Sequence, residues 1–272
     1  GGNGNGAAYG SGSFGLYFGG NLAGNGNGVG NGWGNNGWGG PWGGYPGYTS
    51  VQVEDFNRAG VTLANGDRVG IDLRYIASGT GFQYLARGRE LPQAFTPSNE
   101  LWIEMAKQYQ QLDEIRATTV QNTAGIVMKT ATADQLRAKY GALTPENLVD
   151  AVIAGELVMG YTDPFASSTG LNFLITVLES IADGDQSRLT DADVASVFEQ
   201  FQRQVPFVAL TTIQMRDSVQ NDTGTLDTFV LEWQTYTNTD SLAKGYEFVP
   251  FGVRHDNPLY SVGQLSADQS ES

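Results

Sequence analysis

From residue 49 onward the chain switches between two hydrophobic periods. TSVQVEDF, residues 49–56, alternates apolar and polar positions, the period of a half-buried strand. The alternation resumes on both sides of Asn65-Gly66, a dipeptide suited to a two-residue turn. This predicts a hairpin with Val61 and Leu63 on one face and Val69, Ile71 and Leu73 on the matching one. Gly79, Gly81 and Gly88 then break the pattern into loop, with FQYLA (82–86) a short strand.

The period changes at Thr96-Pro97, a cap followed by proline at the first turn. Leu101, Trp102, Met105, Tyr109, Leu112 and Ile115 follow helical spacing. A short helix is predicted over Ala133–Tyr140, ending at Gly141. Another starts at Thr144-Pro145-Glu146 and carries Leu148, Val149, Val152 and Ile153. Leu171, Leu174, Val177, Leu178 and Ile181 form a third stripe. Thr190 with Asp193 reads as a capping box ahead of Val194, Val197, Phe198 and Phe201, and Pro206 ends that helix.

Strand-type sequence returns in FVALTTIQMR, TLDTFVLEWQTYT and YEFVPFGV, where Pro250 implies an edge or a bulge. The expected class is α+β, with antiparallel β segments flanking a central helical block. The segments are a β segment with hairpin at 49–95, a helical block at 96–206, an antiparallel β segment at 207–253 and a peripheral polar tail at 254–272. Early and late strands form either one sheet around the helices or two separate layers.

Ahead of this body lies a different composition. Residues 1–48 hold 21 of the 37 Gly, and the first charged residue is Glu54. Gly costs more backbone entropy to order than any other residue, so the stretch reads either as a flexible tail or as an arm. Nine aromatics favour an arm that orders against neighbouring copies: Tyr9, Phe14, Tyr17, Phe18, Trp33, Trp38, Trp42, Tyr45 and Tyr48. These are the candidate subunit-interface residues. No phosphate-binding loop or calcium nonapeptide pattern occurs there. The sequence starts at Gly1 without Met, which fits Met removal or a cleaved or omitted leader.

Charge and rare residues narrow the chemistry. The net charge is -14, which argues against direct binding to nucleic acid or to an anionic membrane surface. No apolar run is long enough for a membrane span. With no Cys and one His, thiolate sites and His-pair metal sites within one chain are excluded, and no catalytic or cofactor-binding residue is nominated. His255 is expected on the surface of a terminal loop. ADGDQSRLTDADV places Asp183, Asp185, Asp191 and Asp193 between two helices, but an EF-hand count from Asp183 puts Arg188 at position six and Val194 at position twelve. The junction is therefore read as helix capping, with Thr190 as the cap. Asn221-Asp222-Thr223 matches a glycosylation sequon, and Arg74, Arg87 and Arg89 form a basic loop.

LESIADGDQSRLTDADVASVFEQF, residues 178–201, resembles helix–loop–helix segments of tailed-bacteriophage structural and internal proteins. That resemblance implies assembly rather than catalysis. The resulting expectation is a non-enzymatic structural subunit of a large homo-oligomeric particle, located in the virion. Its partners would be copies of itself and other particle proteins. A secreted cell-surface or extracellular-matrix filament protein and a carboxylate-dependent hydrolase are the alternatives.

Overall fold

The computed structural model describes residues 12–19, 48–63, 65–66, 68–221 and 224–263. The chain divides into two compact units, one of residues 1–121 with 255–272, the other of residues 122–254. Each contains a five-stranded mixed sheet. The class is thus mixed α/β. Parallel strand pairs replace the purely antiparallel segments expected, and each unit has its own sheet.

In the first unit the sheet order is β2-β1-β3-β10-β4. Its strands are β1 (Gly12–Gly19), β2 (Val69–Ile76), β3 (Ala94–Thr96), β4 (Leu112–Arg116) and β10 (Leu259–Val262). β1 runs parallel to β2 over its full length and parallel to β3 through Leu16–Phe18. β10 is antiparallel to both β3 and β4. The helices are α1 (Tyr48–Ala59), α2 (Ser78–Arg87) and α3 (Leu101–Ala106). Residues 12–19, assigned to the arm by composition, are instead an inner strand. The polar tail likewise contributes an inner strand, because Tyr260 and Val262 are buried.

Two strand expectations here become helices. Residues 49–56 fall in α1, where the half-buried positions Val53, Phe56 and Asn57 follow the 3, 4 spacing of a helix rather than a period of two. Asn57 takes over one hydrogen-bonding position of the edge strand β2. Its Nδ2 donates to the Ile71 carbonyl at 2.9 Å and its Oδ1 accepts from Ile71 N–H at 2.7 Å, so the edge is covered there. Residues 82–86 fall in α2, which ends at Gly88 in the left-handed region, with Gly88 N–H on the Leu85 carbonyl and Arg89 N–H on that of Tyr84. The Asn65-Gly66 turn is present, but its first arm makes only a Thr62–Arg68 bridge. Helical spacing past Tyr109 also fails, since Leu112 and Ile115 lie in β4.

In the second unit the order is β7-β6-β8-β5-β9. The strands are β5 (Asn122–Lys129), β6 (Met159–Thr162), β7 (Phe207–Ala209), β8 (Thr228–Glu232) and β9 (Tyr246–His255), whose last residue falls to the first unit. β6 is parallel to β7 and β8, and β5 is antiparallel to β8. Pro250 stands on β9, an edge strand as expected. The helices are α4 (Thr130–Tyr140), α5 (Pro145–Ile153), α6 (Ser168–Ile181), α7 (Ala192–Gln204), α8 (Thr212–Asn221) and α9 (Trp233–Thr237).

The sheet divides two apolar clusters by strand alternation. Ile126, Met128 and Val230 pack with α4–α7 residues such as Leu148, Phe173 and Phe201. Val127, Phe229 and Leu231 pack with Met215, Val219 and Leu242. Strands buried on both faces lose the polar alternation that would reveal them, which explains why β5 and β6 passed as part of a helical block. α4, α5 and α6 form where predicted. Thr144 Oγ1 accepts from Asn147 N–H at 3.3 Å, and α4 stops at Gly141 with φ +83°. α7 starts one residue later than expected, with Asp191 and not Thr190 at its N-cap.

Candidate functional site

Parallel strands that feed helices place polar groups outside their carboxyl ends, and each unit builds this arrangement separately. In the first unit Gly19 stands level with Ile76, and Phe18 with Thr96, so β1, β2 and β3 end together. Ser78 opens α2, Thr96 ends β3, and Ser98 and Asn99 follow it, all buried. Ser98 N–H donates to Ser78 Oγ at 3.2 Å.

Asn257 closes this edge. It adopts φ +45°, a conformation Asn tolerates better than most residues. Its carbonyl accepts from Thr119 N–H at 3.1 Å, Thr119 Oγ1 at 2.6 Å and Thr96 Oγ1 at 3.3 Å. Its Nδ2 donates to the carbonyls of Val120 and His255 at 3.1 and 3.3 Å. Nearby Tyr260 hydroxyl donates to Glu114 at 3.0 Å and Glu100 at 3.3 Å. Burial and those two carboxylates push its phenol well above the usual tyrosine range, which keeps it a neutral donor. His255, expected on the surface, is 1% exposed, because the chain runs from β9 into this cluster.

In the second unit β6, β7 and β8 end at Thr162, Ala209 and Glu232. Asp163 N–H donates to the Ala209 carbonyl at 2.7 Å, which holds the ends of β6 and β7 together. The β6–α6 turn is tight. Asp163 Oδ1 accepts from Phe165 N–H at 2.8 Å, and its carbonyl accepts from Ser167 N–H at 2.8 Å. Thr162 Oγ1 donates to Ser167 Oγ at 2.9 Å. Ser167 is the N-cap of α6 yet makes no side-chain capping bond, and the first turn contains no acid.

Gly170 explains how the helix reaches the strand end. A Cβ there would lie 1.7 Å from the Thr162 carbonyl oxygen, so only glycine allows this approach. One residue earlier, Thr169 Oγ1 donates to Glu232 Oε1 at 3.1 Å, with both residues buried. The first turn of α6 therefore lies across the ends of β6 and β8. α8 opens the same way beside β7. Thr211 Oγ1 accepts from Gln214 N–H at 3.2 Å, while Leu210 N–H donates to Gln214 Oε1 at 2.9 Å. The Thr-x-x-Gln spacing of a capping box was the signal for this helix, and the β-branched run around it concealed it.

Of the interface residues proposed from sequence, Tyr9, Trp33, Trp38, Trp42 and Tyr45 lie outside the described residues. Phe14, Tyr17 and Phe18 are on β1, level with Ile71, Arg74 and Tyr75 of β2, and Tyr48 begins α1. The acidic junction is organised by Arg188, which lies 3.6, 3.5 and 2.6 Å from Asp183, Asp191 and Asp193. Among the described residues no group of three or more His, Cys, Asp or Glu is placed to hold a metal, and no helix is long and apolar enough to cross a membrane.

Comparison with known proteins gives the fold. No family model matches the sequence, and no curated protein does. Solved structures do match over nearly the whole chain. The sulfate-binding protein SubI from Mycobacterium tuberculosis H37Rv is similar with a TM-score of 0.57 and 15% identity, over 95% of this chain and 78% of its own. Iron-bound HitA from Pseudomonas aeruginosa is similar with 0.57 and 14%, over 96% and 78%. A periplasmic thiamin binding protein is similar with 0.57 and 9%, over 95% and 75%. The chain thus has a periplasmic-binding-protein fold. That finding overturns the expectation of a virion subunit, together with its virion location and its self-assembling partners. Residues 178–201, which carried the phage resemblance, are helix-capping sequence that any fold with this junction uses.

Proposed function

We propose that the chain is a non-enzymatic solute-binding protein that works outside the cytoplasm and delivers a small polar solute to a membrane transporter. The single observation that carries this reading is the β6–α6 turn of the second unit. There Gly170 brings an uncapped, acid-free helix start against the end of a parallel strand. Such strand ends are where ligands bind in open α/β sheets. The fold supports the reading, since the similar structures are of proteins named for sulfate, iron and thiamin.

The test is a thermal-shift screen of the full chain against inorganic anions, metal ions, amines, amino acids, sugars and vitamins. A ligand at a hundredfold excess over its Kd stabilises by about 2.7 kcal/mol, a shift that is easily read. At least one class is expected to raise the Tm. No shift with any class would overturn the reading.

A further inference from the structure

The polar turn of the second unit is bordered by apolar side chains in solvent. Phe165 is 77% exposed, Leu210 50% and Trp233 49%. They share one edge of the sheet. Thr162 pairs with Ala209 on the neighbouring strand β7, so Leu210 follows at the same level as Asp163. Trp233 directly follows Glu232 at the end of β8, which pairs with the other side of β6. Three adjacent strand ends span only about 10 Å. The Trp233 ring is held in place by Phe248 at 5.1 Å and Tyr236 at 5.7 Å, between centroids, so it stands as a fixed surface. Exposed apolar groups gathered on one edge mark a contact surface.

Charge selects what that surface contacts. The strand-end segments 162–172, 209–215 and 231–235 contain Asp163 and Glu232 and no Lys, Arg or His. The next basic residue, Arg216, donates to Asp217 at 2.8 and 2.6 Å. The start of α6 also has a carboxylate beside it, since Thr169 donates to Glu232. An anionic ligand would meet two carboxylates with no cation among those segments. A cation gains the partly exposed Asp163 directly, the field of buried Glu232 at the end of the neighbouring strand, and the faces of exposed aromatic rings.

We propose, resting on the solute-binding reading above, that the second unit binds an organic ammonium compound, with its charged nitrogen at Asp163 and its apolar body against Phe165 and Trp233. The experiment is calorimetric titration of the full chain with choline, putrescine and benzylamine, alongside sulfate, phosphate and acetate. At least one ammonium compound should bind, and more weakly as salt is raised. Trp233→Ala and Asp163→Asn should each weaken it by roughly tenfold. Trp233→Phe, which keeps a ring, and Phe165→Ala, at an exposed position, guard against simple loss of fold. Trp233→Phe should retain most of the affinity and Phe165→Ala should lose part of it. Binding of an oxyanion with none of the amines overturns the ligand class and leaves the solute-binding reading standing. Amine binding indifferent to Trp233→Ala, Phe165→Ala and Asp163→Asn overturns the placement. No binding by these compounds or by the wider screen removes both readings together.

Discussion

Two strand-following helices, one in each unit, open with nearly the same residues, yet the openings are built differently. α2 begins Ser78-Gly79-Thr80-Gly81 after β2, and α6 begins Ser168-Thr169-Gly170 after β6. In the first unit the neighbouring polar groups bind one another, and Asn257 ties the ends of β3 and β4 to the start of β10. In the second unit the turn is edged by exposed Phe165, Leu210 and Trp233, with acids and no base. The same local sequence therefore makes a closed polar knot in one unit and an open, aromatic-rimmed edge in the other. What separates them is the contribution of a distant segment, Asn257 ahead of β10 in one and Glu232-Trp233 at the end of β8 in the other.

The glycines give the largest contrast. A Cβ at Gly81 would meet the Phe95 ring at 2.6 Å, whereas a Cβ at Gly170 would meet the Thr162 backbone at 1.7 Å. A ring can turn and a paired strand cannot. Gly81→Ala is expected to cost about 1–3 kcal/mol, the usual range for overpacking, less roughly 1 kcal/mol regained from helix propensity. Gly170→Ala should cost more than about 4 kcal/mol and disrupt the second unit. Urea denaturation of both variants measures the difference. Equal costs would erase the distinction between the two openings.

Asn257 is the next largest. Asn257→Ala removes two buried donors' bonds to Val120 and His255 and leaves a residue less suited to φ +45°. A loss of about 1–3 kcal/mol follows from the unsatisfied carbonyls. Hydrogen exchange should locate it at the Thr119 amide, which now bonds to the Asn257 carbonyl. Unchanged protection there would show that backbone bonds alone hold the knot.

Much of this architecture was readable and some was hidden for physical reasons. The Thr144-Pro145 start, the Gly141 stop and the α6 stripe are local signals, and each produced the element expected. The edge position of β9 followed from Pro250. β6 was illegible because all four residues are buried on both faces, so no alternation marks it. α1 was misread because TSVQVEDF satisfies a period of two by composition, while its burial follows the helix. The functional edge was the least visible. Asp163, Thr169, Glu232 and Trp233 are spread over 70 positions, and only the parallel pairing of β6 with β8 brings them together. The exposed aromatics of that edge, Phe165 and Trp233, lie far in sequence from the aromatic-rich stretch 1–48.

The smallest expected effects concern pH, and they differ in sign between two particular places, β10 and the acidic junction before α7. In the first unit Tyr260 has its phenol pushed up by burial and by Glu114 and Glu100. A raised acid is held neutral by the fold, so its contribution is complete below the unfolded value of about 10 and is lost as pH climbs through the folded one. In the second unit Asp185 is held below the usual carboxylate range by hydrogen bonds from Ser187, and Asp193 by the Val194 backbone and Arg188. Depressed acids contribute above the unfolded value of about 4 and lose that contribution as pH falls through the folded one. Both aspartates are solvent-exposed, so their share is small and falls further with salt. Hydrogen exchange followed separately for β10 and α7 should show β10 loosening at the alkaline end and α7 at the acid end. Tyr260→Phe should remove the alkaline dependence of β10 and leave α7 untouched. Acid sensitivity of β10 equal to that of α7 would mean that these groups do not set the pH response of their own units.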